Sequence, residues 1–160
     1  MEKGHYSGSE RNIEMIAIID YGAGNVQSVK NALDYLEVDC RITSSASDVV
    51  EADRIILPGV GSFGAMMGGL KKRGLVDAIK ESVSAGKPFL GICLGLQALF
   101  ESSEESPGVK GLGIFSGKVR RFASGKVPQI GWNSIVPIQN GILQEGYVYF
   151  VNSYYVDPTD

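Results

Sequence analysis

The chain is 160 residues long, 44% hydrophobic and 21% charged, with a formal net charge of −3; these are values of one ordinary globular domain, long enough to bury about 70% of the surface its unfolded chain exposes. The charge balance argues against nucleic acid as a partner. No apolar stretch approaches the roughly 20 residues of a membrane span, and a cytoplasmic protein is expected. Two cysteines, Cys40 and Cys93, and one histidine, His5, are too few for a disulfide framework or a zinc site, so neither a metal nor a cofactor is expected.

Residues 1–14 are polar, carry no apolar period and read as an extension, with the domain proper spanning 15–160. Met15-Ile16-Ala17-Ile18-Ile19 is a buried strand ended by a turn at Asp20-Tyr21-Gly22. Val26, Val29, Leu33 and Leu36 fall at helical spacings and predict a helix over 25–36. A short strand over 38–42, a brief helix capped by Ser45 or Ser47, and a strand Ile55-Ile56-Leu57 stopping at Pro58-Gly59 complete a βαβαβ order. Helices follow over 65–72 and 75–85, then a fourth apolar run, 88–92, leads through Cys93 into a helix over 94–101. The alternation predicts an α/β fold: an open, mostly parallel sheet with helices on both faces. Beyond Ser102 the pattern turns to loops and extended segments, ending in one long aromatic strand over 147–156.

Gly91-Ile92-Cys93-Leu94-Gly95 stands between the fourth strand and the following helix. In a nucleophile elbow, glycines two residues to either side relieve crowding so that the nucleophile projects above the sheet. The helix start would favour thiolate, and the Leu94 N–H would face charge developing on an attacked carbonyl. From this pattern alone a second reading stands equally: an ordinary buried thiol, with glycines that only permit tight packing. Cys40 lacks glycine flanks and reads as a core residue. Pro58-Gly59-Val60-Gly61-Ser62-Phe63-Gly64 follows a strand at the ligand-binding end of such sheets. Either Val60 or Gly61 could supply a second oxyanion donor, or the segment is a plain turn.

Extended to Gln97, the elbow reads Gly-x-Cys-x-Gly-x-Gln and resembles that of the class I, triad-type glutamine amidotransferases, a flavodoxin-like fold. Asp20-Tyr21-Gly22-Ala23-Gly24-Asn25, the Pro58 segment, Pro107-Gly108-Val109-Lys110-Gly111-Leu112 and Pro128-Gln129-Ile130-Gly131-Trp132-Asn133 are most similar to the branch that serves imidazole glycerol phosphate synthase in histidine biosynthesis. The resemblance implies hydrolysis of L-glutamine to glutamate and ammonia. It also implies delivery of the ammonia to a cyclase subunit, a (β/α)8 barrel, in a heterodimer. By the same carry-over Cys93 would form the glutamyl thioester, Val60, Gly61 and Leu94 would hold the oxyanion, and Gly59, Gln97, Ser153 and Tyr154 would seat glutamine. Asn25, Trp132, Asn133 and Tyr149 would face the partner or the ammonia gate. The resemblance further implies that partner binding turns the Gly59–Val60 peptide inward. Plainer roles for these residues are a helix cap for Asn25, core filling for Trp132 and one more strand aromatic for Tyr149.

A cysteine nucleophile of this kind needs a histidine base oriented by a carboxylate. His5, ahead of the first strand, is poorly placed for it, and the His-Pro-Glu segment that supplies base and carboxylate in the family is absent from the sequence. The expectation is a glutaminase domain shortened at its C-terminus and inactive at this length. Two alternatives are a glutaminase serving another synthase and a non-catalytic module that binds the cyclase.

Overall fold

The computed structural model describes residues 15–138, 141 and 143–159; the N-terminal extension and His5 lie outside the described residues. Four short strands, β1 (Ile16–Ile19), β2 (Cys40–Thr43), β3 (Arg54–Gly59) and β4 (Phe89–Cys93), form a parallel sheet in the order β2-β1-β3-β4. Parallel pairing needs crossovers, and helices supply them. They are α1 (Val26–Tyr35), α2 (Ala46–Glu51), α3 (Phe63–Lys72) and α4 (Leu75–Ser84). The predicted βαβαβ order and parallel sheet are both present. β3 runs on through Pro58 to Gly59, because its register with β4 continues to the pair Gly59 and Cys93.

The core lies on one sheet face, where Ile19, Ile55 and Leu57 pack against Val49, Phe63, Met66, Leu70, Leu75 and Ile79. Each large apolar side chain so buried contributes about 1.5–3 kcal/mol before the entropy of ordering it. On the other face α1 lies against β1 and β2, but none of its residues is fully buried and Leu36 is largely exposed. The predicted apolar stripe is therefore only partly buried itself, although Ile18 and Ile56 on the strands of that face are buried. Cys40 opens β2 half-buried rather than in the core, with Sγ 4.0 Å from an Asp34 carboxylate oxygen. Burial pushes its thiol above the ordinary range.

Two expected elements differ. The helix after Cys93 is only α5 (Leu94–Gln97). The carbonyls of Ala98, Leu99 and Phe100 instead accept bonds from the amides of Leu112, Ile114, Phe115 and Gly113, so a distant loop captures the turn that a longer helix would use. The long terminal strand is two strands. β8 (Gly146–Asn152) pairs antiparallel with β7 (Gln129–Ile135), and after Ser153 the chain re-enters as β9 (Tyr154–Pro158). β9 pairs antiparallel with β6 (Gly117–Arg121), which runs parallel to β5 (Ser102–Ser103). The break is held by Phe122 N–H donating to Ser153 O and by Asn152 Nδ2 donating to Tyr154 O. Among the described residues no helix is long and apolar enough to cross a membrane.

Candidate active site

Cys93 ends β4 with φ 55° and ψ −115°, a backbone conformation that costs a non-glycine residue about 1–3 kcal/mol and concentrates at functional sites. Three glycines let the chain turn so sharply. A Cβ on Gly95 would stand 1.8 Å from Leu57 O, one on Gly91 2.7 Å from Leu96 Cα, and one on Gly59 2.5 Å from Gly95 N. The elbow glycines are therefore sites of backbone contact, and the segment is an elbow rather than a loose turn. The Cys93 side of the turn is exposed, unlike the buried thiol of the alternative reading.

Cys93 opens onto a cavity of about 560 Å³. Gly59, Val60 and Gly61 line it from the end of β3, and Leu94 and Gln97 from α5. Ser153 and Tyr154 line it from the break between β8 and β9. All the residues expected to seat glutamine or hold the oxyanion thus meet around one thiol. Leu94 occupies the first position of α5, where an amide N–H has no intrahelical acceptor. Gln97, 9% exposed, lines the cavity from the last position of α5. Asn152 also lines the cavity, with its Oδ1 buried and unpartnered.

Asn25, expected at the partner surface, borders the same cavity. It precedes α1 in the left-handed conformation, φ 52°, and makes no side-chain cap; its Oδ1 accepts instead from the Ser28 hydroxyl at 2.7 Å. Trp132, Asn133 and Tyr149 do not line the cavity. They lie on the β7–β8 pair, where Trp132 and Tyr149 are register partners with rings edge-on at 5.6 Å. Trp132 is 69% exposed, which rules out the core-filling role. Ile130, Tyr147 and Val151 are exposed on the same pair, giving this ribbon an apolar surface of the kind that marks an interaction site.

Two residues at the site were not legible in the sequence. Glu105 borders the cavity and accepts from Phe63 N–H at 2.6 Å, while the neighbouring Ser106 Oγ accepts from Gly64 N–H at 2.9 Å. Together they satisfy the first amides of α3, which Ser62 also caps through Ala65 N–H. An acidic pair just ahead of Pro107-Gly108 was the available signal, but nothing local points it at a helix 42 residues away. Glu105→Ala is expected to lower stability by about 1.5–3 kcal/mol, the range for a hydrogen bond to a charged group, as read from the urea midpoint. An unchanged midpoint would mean that the bond contributes nothing. The other residue is Tyr21, whose hydroxyl accepts from Val60 N–H and donates to Val60 O, both at 3.1 Å. Burial pushes its phenol above the ordinary range, partly countered by the bond to Val60.

Residues 17–160 match the family described as glutamine amidotransferase class-I. The chain is 47% identical over 152 residues to a Bacillus cereus (strain G9842) protein named imidazole glycerol phosphate synthase subunit HisH, covering 91% of this chain and 73% of that protein. Proteins of the same name from Methanothermobacter thermautotrophicus and Trichodesmium erythraeum are 47% and 50% identical, each over 91% of this chain and over 75% and 72% of their own lengths. Among solved structures, one described as a glutamine amidotransferase superposes with a TM-score of 0.69 at 19% identity, covering 84% of this chain and 70% of that one. At that identity the likeness is one of fold.

Proposed function

The chain belongs to the class I glutamine amidotransferases, a family of glutamine-hydrolysing enzymes, and on that premise we propose that it is the glutaminase subunit of an imidazole glycerol phosphate synthase. The observation that carries the site assignment is the strained, exposed Cys93 on a three-glycine elbow at the mouth of a cavity. Its sulfur attacks the side-chain carboxamide carbon of L-glutamine. The amides of Leu94 and Val60, with Gly61 beside them, hold the resulting oxyanion, and Gly59, Gln97, Ser153 and Tyr154 seat the substrate. The C–N bond breaks, the amide nitrogen takes up the proton that the thiol gave up and leaves as ammonia, and water then releases glutamate from the thioester and restores the thiol. The reaction calls for no cofactor.

The partner in this reading is a (β/α)8 cyclase that consumes the ammonia, in a cytoplasmic heterodimer. The exposed apolar ribbon with Trp132, Asn133 and Tyr149 supports a docking role, since buried aromatics anchor such interfaces. No described residue is a histidine, so the general base is not among them. The test is glutamate release by the 160-residue chain with and without such a cyclase. The cyclase is expected to co-purify, and Trp132→Ala to weaken that association about 30-fold. Glutamate release is expected to stay near background. Turnover of about 1 s⁻¹ or faster that survives Cys93→Ala would overturn the assignment of the nucleophile.

A further inference from the structure

We propose that the cavity walled by α3, the start of α4 and the loop 108–111 is a second ligand site, separate from that of Cys93, and that it takes a phosphate monoester with a compact apolar body. This cavity measures about 680 Å³ and shares no lining residue with the one at Cys93. Its volume is in the range of sites for small organic ligands. The inference does not depend on the glutaminase reading. It begins from Pro107-Gly108-Val109-Lys110-Gly111-Leu112. The amides of Gly111 and Leu112 donate to the carbonyls of Glu101 and Ala98, and a Cβ on Gly111 would stand 2.0 Å from Phe100 O. Those contacts hold the turn after α5 and account for Gly111 and Leu112. They leave Lys110 without a task.

Lys110 lines the cavity from the loop, and Lys71 lines it from α3. Both are exposed, and among the described residues neither has an ion pair or a side-chain hydrogen bond. Two unpaired cations on separate walls of one cavity, in a chain of net charge −3, set a local potential that favours an anion. A phosphate monoester carries about −1.5 to −2 at neutral pH and presents three acceptor oxygens, enough for both ammonium groups at once. A carboxylate matches only one of the two charges. The walls also carry apolar surface: Met67 is buried, and Val76 and Val109 pack half-buried against the main core. They suit the carbon body of an ester and not a bare ion. Gly68, on the α3 wall, adds room. It lies inside the helix without a left-handed φ, and nothing stands within 4 Å of a Cβ built on it, so neither backbone conformation nor packing calls for glycine there. Its bare backbone lets a ligand approach α3 closely. Asp77, in the first turn of α4, is the opposing charge on the wall.

Phenyl phosphate is the probe, with inorganic phosphate and phenol as its two halves. Titrated into the isotope-labelled full chain, phenyl phosphate is expected to move the amide resonances of Gly68, Gly108, Val109 and Gly111, and to bind at least about tenfold tighter than either half. Lys71→Met and Lys110→Met remove the charge and keep an unbranched side chain. Each is expected to weaken binding about tenfold, the equivalent of one hydrogen bond to a charged group. Asp77→Asn is expected to act in the opposite direction and tighten binding about threefold, the scale of one exposed charge pair. Gly68→Leu places a side chain on the wall and is expected to abolish binding while amides remote from α3 keep their wild-type positions. Absence of the amide shifts at about 10 mM phenyl phosphate would overturn the proposal, as would binding that survives replacement of both lysines or an Asp77→Asn protein that binds more weakly. Inorganic phosphate binding as tightly as the ester would overturn the apolar body, and phenol binding as tightly would overturn the anion.

Discussion

Gly95→Ala is expected to destabilise the protein by more than about 4 kcal/mol, a size confined to a few mechanisms, backbone overlap in a packed region among them. The new Cβ would stand 1.8 Å from the carbonyl oxygen of Leu57 and 2.8 Å from its carbonyl carbon. Both are backbone atoms of β3 in the middle of the parallel sheet, so no rotamer change relieves the clash. Either α5 lifts off the sheet and takes Leu94 and Ala98 out of the core, or β3 shifts against β1 and β4. Gly68→Ala is the control. Gly68 lies inside α3 with nothing within 4 Å of a new Cβ and no left-handed φ, and alanine there is expected to gain up to about 1 kcal/mol. Urea unfolding of the two variants beside the wild type tests both, and a Gly95→Ala midpoint equal to that of the wild type would contradict the packing described for the elbow.

Cys93→Gly is expected to raise stability while removing function. At φ 55° and ψ −115° the cysteine is in a region that glycine enters freely, so the substitution should recover about 1–3 kcal/mol of local strain. A cysteine kept for packing would give the opposite sign, because a cavity would replace a buried side chain. The same variant loses all labelling by glutamine-directed electrophiles. In an assembled enzyme that turns over, it should lose at least about 10⁴-fold in glutamate release, the scale of removing a nucleophile. A less stable Cys93→Gly protein would argue for the structural thiol. Stability gained where activity is lost is the signature of a strained functional residue.

The elements that set up the site were legible where local pattern and tertiary role coincide. The β-branched runs of β1 and β3 are strands because both of their faces are covered, and short apolar runs between turn residues announce this. The elbow was legible because its glycines are demanded by contacts within a few residues and with the adjacent strand, and Gln97 placed it in a family. What escaped depends on distant partners. Nothing near Leu99 signals that residues 111–115 will take its turn's carbonyls, and alternation along 147–156 cannot reveal that the chain changes sheets at Ser153. The outward position of Trp132 was implied by the resemblance and not by local pattern, since an aromatic in a strand suits either side of a two-stranded ribbon. The bond from Tyr21 to Val60 spans 39 positions, beyond any local periodicity, although Tyr21 stood within a recognisable motif.

The break between β8 and β9 also has a mechanical side. Gln129 and Asn152, at the root of the ribbon, are register partners, and their neighbours Pro128, Val151 and Ser153 belong to the cavity wall. Trp132 and Tyr149 stand three residues farther out on the same two strands, about 10 Å at the usual strand rise. The ribbon is thus a short lever whose grip is apolar and whose foot is the cavity beside Cys93. A body that seized the grip would hold the same strand that carries Val151 and Asn152 in the cavity wall, with no need for a relay through the core.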